Sequence, residues 1–564
     1  MRLSEALRIN SEPAGERERH AHLLCGFTPL HLETFAKACL RLRFPGEAIR
    51  LHTGLYGDLE GNIQRAAGQA GEGAIVVIEW SDLDQRLGLR ASAGWSFRIL
   101  EDILTQAAER CLRLEAHLAA LARAMPVALV APTLPLPPVT HLPPARTGVF
   151  ELRLRAILLD FLRRVSEASA IRLVSAPSAG HDVKMDLETG FPYSLAHADE
   201  LAQLSVRCLF PAPPKKGIIT DLDQTLWKGI LGDQGVDGIS WSLEDRSQVH
   251  ALYQQTLASL AESGVLVAIA SKNDPELVEA AFKRPDILLK EDQVFPFEVS
   301  WGAKSEAISR VLKAWNIGAD AVVFIDDSAM ELGEVQEKFP GIECLRFPER
   351  DPAEVLALLR QLRERFGKDD IQEEDRLRLR SLRAAAIIEE ERPAEVSLDF
   401  LSRLEAKITI EAAGPENTRA FELVNKTNQF NLNGKRFTEA EWKARFARPG
   451  NFLHAISYED RFGPLGRIAV IGGYTEDARC VVDLWVMSCR AFSRHIEFQT
   501  LRRLFDRTGA GEIDFQFRPT ERNKPTQSFF ETFLPDPAKQ NEIRLPLRTF
   551  EERCPPLFHE VTER

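Results

Sequence analysis

Asp221 and Asp223 stand two residues apart in Asp221-Leu222-Asp223-Gln224-Thr225-Leu226, directly after the apolar run Gly217-Ile218-Ile219-Thr220. A carboxylate can attack phosphorus and hold the group as an acyl phosphate. A second acid two positions on can protonate the leaving oxygen and later activate water. Two acids so close repel unless a divalent cation lies between them, and Mg2+ favours carboxylate, carbonyl and phosphate oxygens. Alone, such a string is most often a solvated turn. Three further places in the chain change the balance. Ser271 follows the apolar run 265–270 and can hydrogen-bond a phosphate oxygen. Lys304, in Trp301-Gly302-Ala303-Lys304-Ser305, can neutralise developing charge. Asp326-Asp327 follows Val323-Phe324-Ile325 and can complete a metal shell. The expected catalytic groups are therefore Asp221, Asp223, Ser271 and Lys304. Thr225, Ser271, Lys272, Asn273 and Lys304 are expected to meet the phosphate or the substrate. Asp221, Asp223, Asp326 and Asp327 are expected to hold Mg2+.

Each of these groups lies where an apolar stretch stops. Ligands of open α/β sheets bind beyond the carboxyl ends of parallel strands, so the pattern predicts a Rossmann-like, doubly wound parallel sheet. Upstream, Ala74-Ile75-Val76-Val77-Ile78 and Val127-Ala128-Leu129-Val130 flank a helical pattern over 97–125, which again suggests a parallel sheet. The Pro-rich string from Thr133 to Pro138 reads as a loop, and Pro211-Ala212-Pro213-Pro214 reads as an interdomain linker. A charged stretch, 368–392, is rich in Glu, Arg, Leu and Ala and reads as an exposed helical connector. Beyond it, strand patterns at 468–471 and 481–486 precede an amphipathic helix over 496–505. The expected parts are 1–207, 214–366, the connector 367–396, and 397–564.

A chain of 564 residues needs more than one core. Its formal net charge of -12 argues against nucleic acid as a partner, and no basic stripe with interleaved aromatics is visible. Eight cysteines are scattered without CxxC spacing, which argues against a zinc site or a disulfide framework. The N-terminus is polar, and no apolar run nears the roughly 20 residues that cross a bilayer, so a cytoplasmic, membrane-free protein is expected.

In order, DLDQT, Ser271, Lys304 and Asp326-Asp327 resemble the four motifs of the haloacid-dehalogenase (HAD) superfamily. The resemblance implies Asp221 as nucleophile and Asp223 as general acid/base. It implies a metal held by Asp221, the backbone carbonyl of Asp223, and Asp326 or Asp327. The surrounding text, DLDQTLWKGILGDQG, AIASKND and FIDDSAMELGEV, is similar to the FkbH-like branch, HAD subfamily IIIC. Asn425-Lys426-Thr427-Asn428-Gln429-Phe430-Asn431-Leu432, Val486-Met487-Ser488-Cys489-Arg490 and Phe517-Arg518-Pro519-Thr520 look like that branch's C-terminal acetyltransferase-like (GNAT) α+β domain. The first part resembles the SGNH-hydrolase-like α/β domain of longer members. The family's reaction removes phosphate from 1,3-bisphosphoglycerate and loads a glyceryl unit onto the phosphopantetheine thiol of an acyl carrier protein, for polyketide-type biosynthesis. The alternative is a plain HAD phosphatase for another small phosphate ester or acyl phosphate.

The chain departs from the family pattern in three places. Ala270 stands where some members carry a cysteine before the motif serine, which leaves Cys489 as the candidate thiol. A cysteine at such a strand end is most often a small core residue. In the coenzyme A turn the expected glycines are replaced by Ser493 and His495, whose side chains would crowd a pyrophosphate; Arg490 and Arg494 remain to attract a pantetheine phosphate. In the first part, Gly57-Asp58 is followed by Leu59, no Asp-x-x-His stands near His197, and Gly61-Asn62 reads as a turn, so no hydrolase activity is expected there.

Overall fold

The computed structural model describes residues 1–13, 15–92, 95–177, 180–368, 371, 375, 378–380, 382–383, 401–427, 429–461, 463–476, 479–488, 491–492, 494–520, 523–535, 537 and 542–564. The chain forms two compact units, Met1–Pro213 and Pro214–Arg564. Most of the expected connector 367–396 lies outside the described residues.

The first unit is built on five parallel strands: β1 (Glu18–Cys25), β2 (Ala48–Thr53), β3 (Ala74–Val77), β4 (Val127–Val130) and β5 (Ile171–Leu173). Their order is β2-β1-β3-β4-β5. Successive side chains of a strand face opposite ways. Ala74, Val76, Val127 and Leu129 pack with the helices Leu100–Ala124 and Val149–Ser166. Ile75, Val77, Ala128 and Val130 pack with the helices Leu30–Arg43 and Leu195–Leu209 on the other face. Helices on both faces explain why β3 and β4 are apolar throughout rather than alternating.

The second unit begins with the same construction. Strands β6 (Gly217–Thr220), β7 (Leu266–Ser271), β8 (Val294–Val299), β9 (Val322–Asp326) and β10 (Glu343–Arg346) are parallel, in the order β10-β9-β6-β7-β8. Ile218, Val267, Ile269, Val323 and Ile325 enter one core, while Ile219, Leu266, Ala268, Ala270, Val322 and Phe324 enter the other. Gly217 opens β6 because the Trp315 ring lies against it: a Cβ there would come 2.4 Å from the ring. The chain proceeds from β6 outward to β8, then returns to place β9 on the other side of β6. That reversal opens a crevice beyond the ends of β6 and β9.

The remainder is a mixed α+β module on an eight-stranded sheet. It comprises β11 (Lys407–Ala412), β12 (Phe430–Asn431), β13 (Asn451–Asp460), β14 (Gly463–Glu476), β15 (Arg479–Met487), β16 (Glu512–Phe515), β17 (Ile543–Pro546) and β18 (Glu560–Glu563). The order is β17-β16-β15-β14-β13-β11-β18, with β12 added to β15. The helix Ile496–Thr508 buries Ile496, Leu501, Leu504 and Phe505 against it. No helix among the described residues is long and apolar enough to cross a membrane.

Candidate active site

Hydrogen bonding along β6 continues past the strand, because the Asp221 N–H donates to the Ile325 carbonyl at 3.0 Å. Asp221 is thereby held beside the end of β9, where Asp326 is fully buried and Asp327 half-buried. Carboxylate oxygens of Asp221, Asp326 and Asp327 lie within 4.8 Å of one another, the one such acid, His or Cys grouping among the described residues. Lys304, the first residue of the helix Lys304–Trp315, is buried between two of them. Its ammonium lies 2.7 Å from Asp221 Oδ1 and 2.5 Å from Asp326 Oδ2. The Ser328 N–H donates to Asp326 Oδ1 at 2.8 Å.

One ammonium among three carboxylates leaves the cluster negative. Burial, then the charge of Asp221, pushes the Asp326 carboxyl up to about 6 and also raises that of Asp327. Burial lowers the Lys304 ammonium's pKa, but the charges of Asp221 and Asp326 outweigh it and hold the group above its ordinary range. The donor set is three hard oxygens, which suits Mg2+ and not a thiolate-seeking metal. Beside it, the Thr225 hydroxyl is fully buried and has no hydrogen-bond partner among the described residues, so it remains for a ligand oxygen.

Asp223 is held apart from this cluster. Its Oδ1 accepts from the Trp227 indole N–H at 2.9 Å and the Leu231 N–H at 3.1 Å, and its Oδ2 accepts from the Asn273 amide at 2.9 Å. Burial raises its pKa against the pull of the Trp227 and Leu231 bonds. The loop between is short and folded back. Leu222 O accepts from the Thr225, Leu226 and Trp227 N–H groups. Gln224 adopts a left-handed φ of 55° and clamps Gly229 through its side-chain oxygen at 3.1 Å.

The expected residues thus separate into two groups. Asp221, Asp326, Asp327 and Lys304 converge. Ser271, the last residue of β7, is buried at the carboxyl end of the same sheet. Asn273, expected on the phosphate, instead bonds Asp223, and Lys272 pairs with the buried Glu331 at 2.7 Å. Cys489, with Arg490 and Ser493, lies outside the described residues. Among the described cysteines, burial raises the thiols of Cys25, Cys39, Cys111, Cys344, Cys480 and Cys554. Arg494, expected to attract a pantetheine phosphate, is buried and spans 3.2 Å to Asp460, so its charge is already matched inside the fold. Trp227, Leu231 and Glu331 carried no sequence expectation. Trp227 stood inside the quoted string after Asp223, but nothing in one sequence says which way an indole N–H points.

The first unit's polar groups take a different form. Asn62, expected in a turn, is buried inside the helix Leu59–Ala67, where its amide pins Leu55 and the Cys25 carbonyl. His197 is buried, with Nε2 3.1 Å from the Thr133 hydroxyl. Thr133 in turn donates to Glu79.

No protein-family model matches the sequence, and no curated protein matches it. Among solved structures, the chain is similar to the N-terminal part of the protein BF1531 from Bacteroides fragilis, which contains a phosphatase domain and was crystallised with Mg. The two share 20% identity with a TM-score of 0.52, over 66% of this chain and 100% of that one. That likeness, with the strand order, shows a Rossmann-type fold. A match to an uncharacterized protein from Corynebacterium glutamicum has 18% identity, 26% coverage of this chain, 95% of that one and a TM-score of 0.19, too low to argue from.

Proposed function

We propose that this chain is a Mg2+-dependent phosphoryl-transfer enzyme of the HAD type that takes 1,3-bisphosphoglycerate, removes phosphate and loads the glyceryl unit onto the phosphopantetheine thiol of an acyl carrier protein, for polyketide-type biosynthesis. The observation that carries the phosphoryl-transfer part is the Asp221–Asp326–Asp327 cluster with Lys304 seated in it. In this reading, Asp221, Asp326 and Asp327 would hold Mg2+, which would supply positive charge to the phosphoryl oxygens. An Asp221 oxygen attacks the phosphorus of the C3 phosphate ester as its bond to the leaving oxygen breaks, and Asp223 gives that oxygen its proton. Water then attacks the Asp221 acyl phosphate, Asp223 takes a proton from it, Asp221 is regenerated and phosphate leaves. In the loading step the carrier thiol attacks the C1 carbonyl and displaces the C1 phosphate, forming the thioester. Lys304 balances charge on the Asp221 side throughout.

The loading part rests on the resemblance of the flanking parts to SGNH-like and GNAT-like domains. The mixed α+β module at the C-terminus is compatible with it. One observation favours the plainer phosphatase reading: the Ala270 methyl is packed in the core, so that position offers no thiol.

The test is to incubate the full chain with Mg2+, 1,3-bisphosphoglycerate formed in situ and phosphopantetheinylated carrier proteins, and to weigh carrier and enzyme intact. A glyceryl mass gain on a carrier is the expected result. A gain on the enzyme that vanishes in Cys489→Ala places an intermediate there. Phosphate release without any mass gain overturns the loading step and leaves a phosphatase.

A further inference from the structure

The geometry points to Trp227 and Asn273 as positioning residues that fix which oxygen of Asp223 handles the proton. This inference rests on the phosphoryl-transfer reading above and adds to it a division of labour within one carboxylate.

A carboxylate oxygen has two lone pairs to offer. Both on Asp223 Oδ1 are taken, one by the Trp227 indole N–H at 2.9 Å and one by the Leu231 N–H at 3.1 Å. Oδ2 accepts a single bond, from the Asn273 amide at 2.9 Å. Oδ2 therefore keeps the open position. It is the oxygen that gives a proton to the leaving group and takes one back from water. Each donor also stops the carboxylate from turning about its Cβ–Cγ bond.

The donors are themselves immobile. Trp227 is fully buried in the core that holds Leu222, Leu226 and Leu231, edge-on to Phe282 at 6.2 Å between ring centroids. Asn273 is 1% exposed, and its other amide atom accepts the Asp274 N–H at 3.2 Å. The two come from different elements: Trp227 from the loop after β6, Asn273 from the turn after β7. The left-handed Gln224 and its clamp on Gly229 fold the loop back so that Trp227 and Leu231 reach Asp223 together. A tryptophan indole donates one bond and accepts none, so it can mark only an acceptor oxygen.

General acid help matters most when the leaving group is a poor one. Trp227→Phe keeps an aromatic ring in the core and removes one N–H, while Asn273→Ala removes the other restraint from a separate element. The full-length proteins are compared with Mg2+ on 4-nitrophenyl phosphate and phenyl phosphate, which carry the same phosphate on an aryl ring but differ in leaving-group acidity. Each variant is expected to lose about 100-fold in kcat on phenyl phosphate, less than about 5-fold on 4-nitrophenyl phosphate, with KM within about 2-fold. Equal losses on both substrates would mean general damage to the fold and overturn the inference, as would no loss from either variant. Should Trp227→Phe not fold, the Asn273→Ala pair of rates decides alone. A wild-type protein inactive on both esters would overturn the phosphoryl-transfer reading itself, a failure distinct from an active wild type with flat variants.

Discussion

Two parallel sheets in this chain end in buried acids, and the acids differ in what their oxygens meet. In the first unit Glu79, two residues beyond β3, is almost completely buried. Its Oε1 accepts from the Thr133 N–H at 3.1 Å, the Thr133 hydroxyl at 2.8 Å and the Tyr193 hydroxyl at 2.7 Å, and Oε2 accepts from the Leu134 N–H at 3.2 Å. Protein donors surround it, so this acid ties loops together. In the second unit Asp221, Asp326 and Asp327 face one another, and one ammonium is paired with the first two. Their arrangement is unfavourable to the fold alone and becomes favourable when a cation or a phosphoryl group arrives. A carboxylate at the end of a parallel strand is thus no sufficient mark of a site; an excess of acceptors over donors is the better one.

The contrast has measurable edges. Asp221→Asn should reduce phosphate release by on the order of 10^4-fold or more with far-UV circular dichroism unchanged, since the amide keeps the shape but cannot attack. Residual release near the wild-type rate would move the nucleophile elsewhere. Lys304→Met should cost about 100- to 1000-fold in kcat, read by steady-state kinetics at saturating Mg2+, because it removes charge from the reacting side. Glu79→Gln, the matching amide swap in the other unit, should lower stability by about 1–3 kcal/mol in a urea titration, because its NH2 would face the donors that Glu79 now satisfies. It should leave the rate per folded molecule unchanged, and a lost rate with full stability would make the Glu79 cluster a site after all. Asp327→Asn should do the reverse, raising stability by up to about 1 kcal/mol in metal-free buffer while increasing the Mg2+ needed for half-maximal rate. The smallest effect near neutral pH comes from neither sheet. Burial, then Arg507, lowers the pKa of His454 on β13 to about 4. Its contribution is present above about pH 6.5 and is lost as pH falls from there through 4, because the unfolded chain takes up the proton first. His454→Gln should flatten that acid limb of the melting temperature and change nothing above pH 7.

Legibility tracked how local the cause was. Strands β3, β4, β6, β7 and β9 show as apolar runs because both faces are covered, and the catalytic acids show because the runs of β6 and β9 stop at them. Helix ends moved by a few residues: the expected helix 97–125 is a short 3-10 turn, Phe97–Ile99, followed by Leu100–Ala124. The amphipathic pattern over 496–505 continues to Thr508, where Gly509 closes it in a left-handed conformation. In the first unit, Asp58 caps the helix Leu59–Ala67 through the Gly61 N–H, and the buried polar cluster is built elsewhere. The polar cluster there draws on Glu79, Thr133, Tyr193 and His197, which no spacing rule connects.

From the sequence alone came the alternation of strand and helix, the order of the four acid, hydroxyl and ammonium motifs, and the chemistry that order allows, because each depends on residues close in the chain. Tertiary structure assigned the partners. It seated Lys304 between Asp221 and Asp326, turned Asn273 and Trp227 onto Asp223, drew Lys272 to Glu331, and matched Arg494 with Asp460. All but Trp227–Asp223 join residues from separate elements. They depend on hydrogen-bond directions and burial, which arise only once sheets and helices have closed on one another.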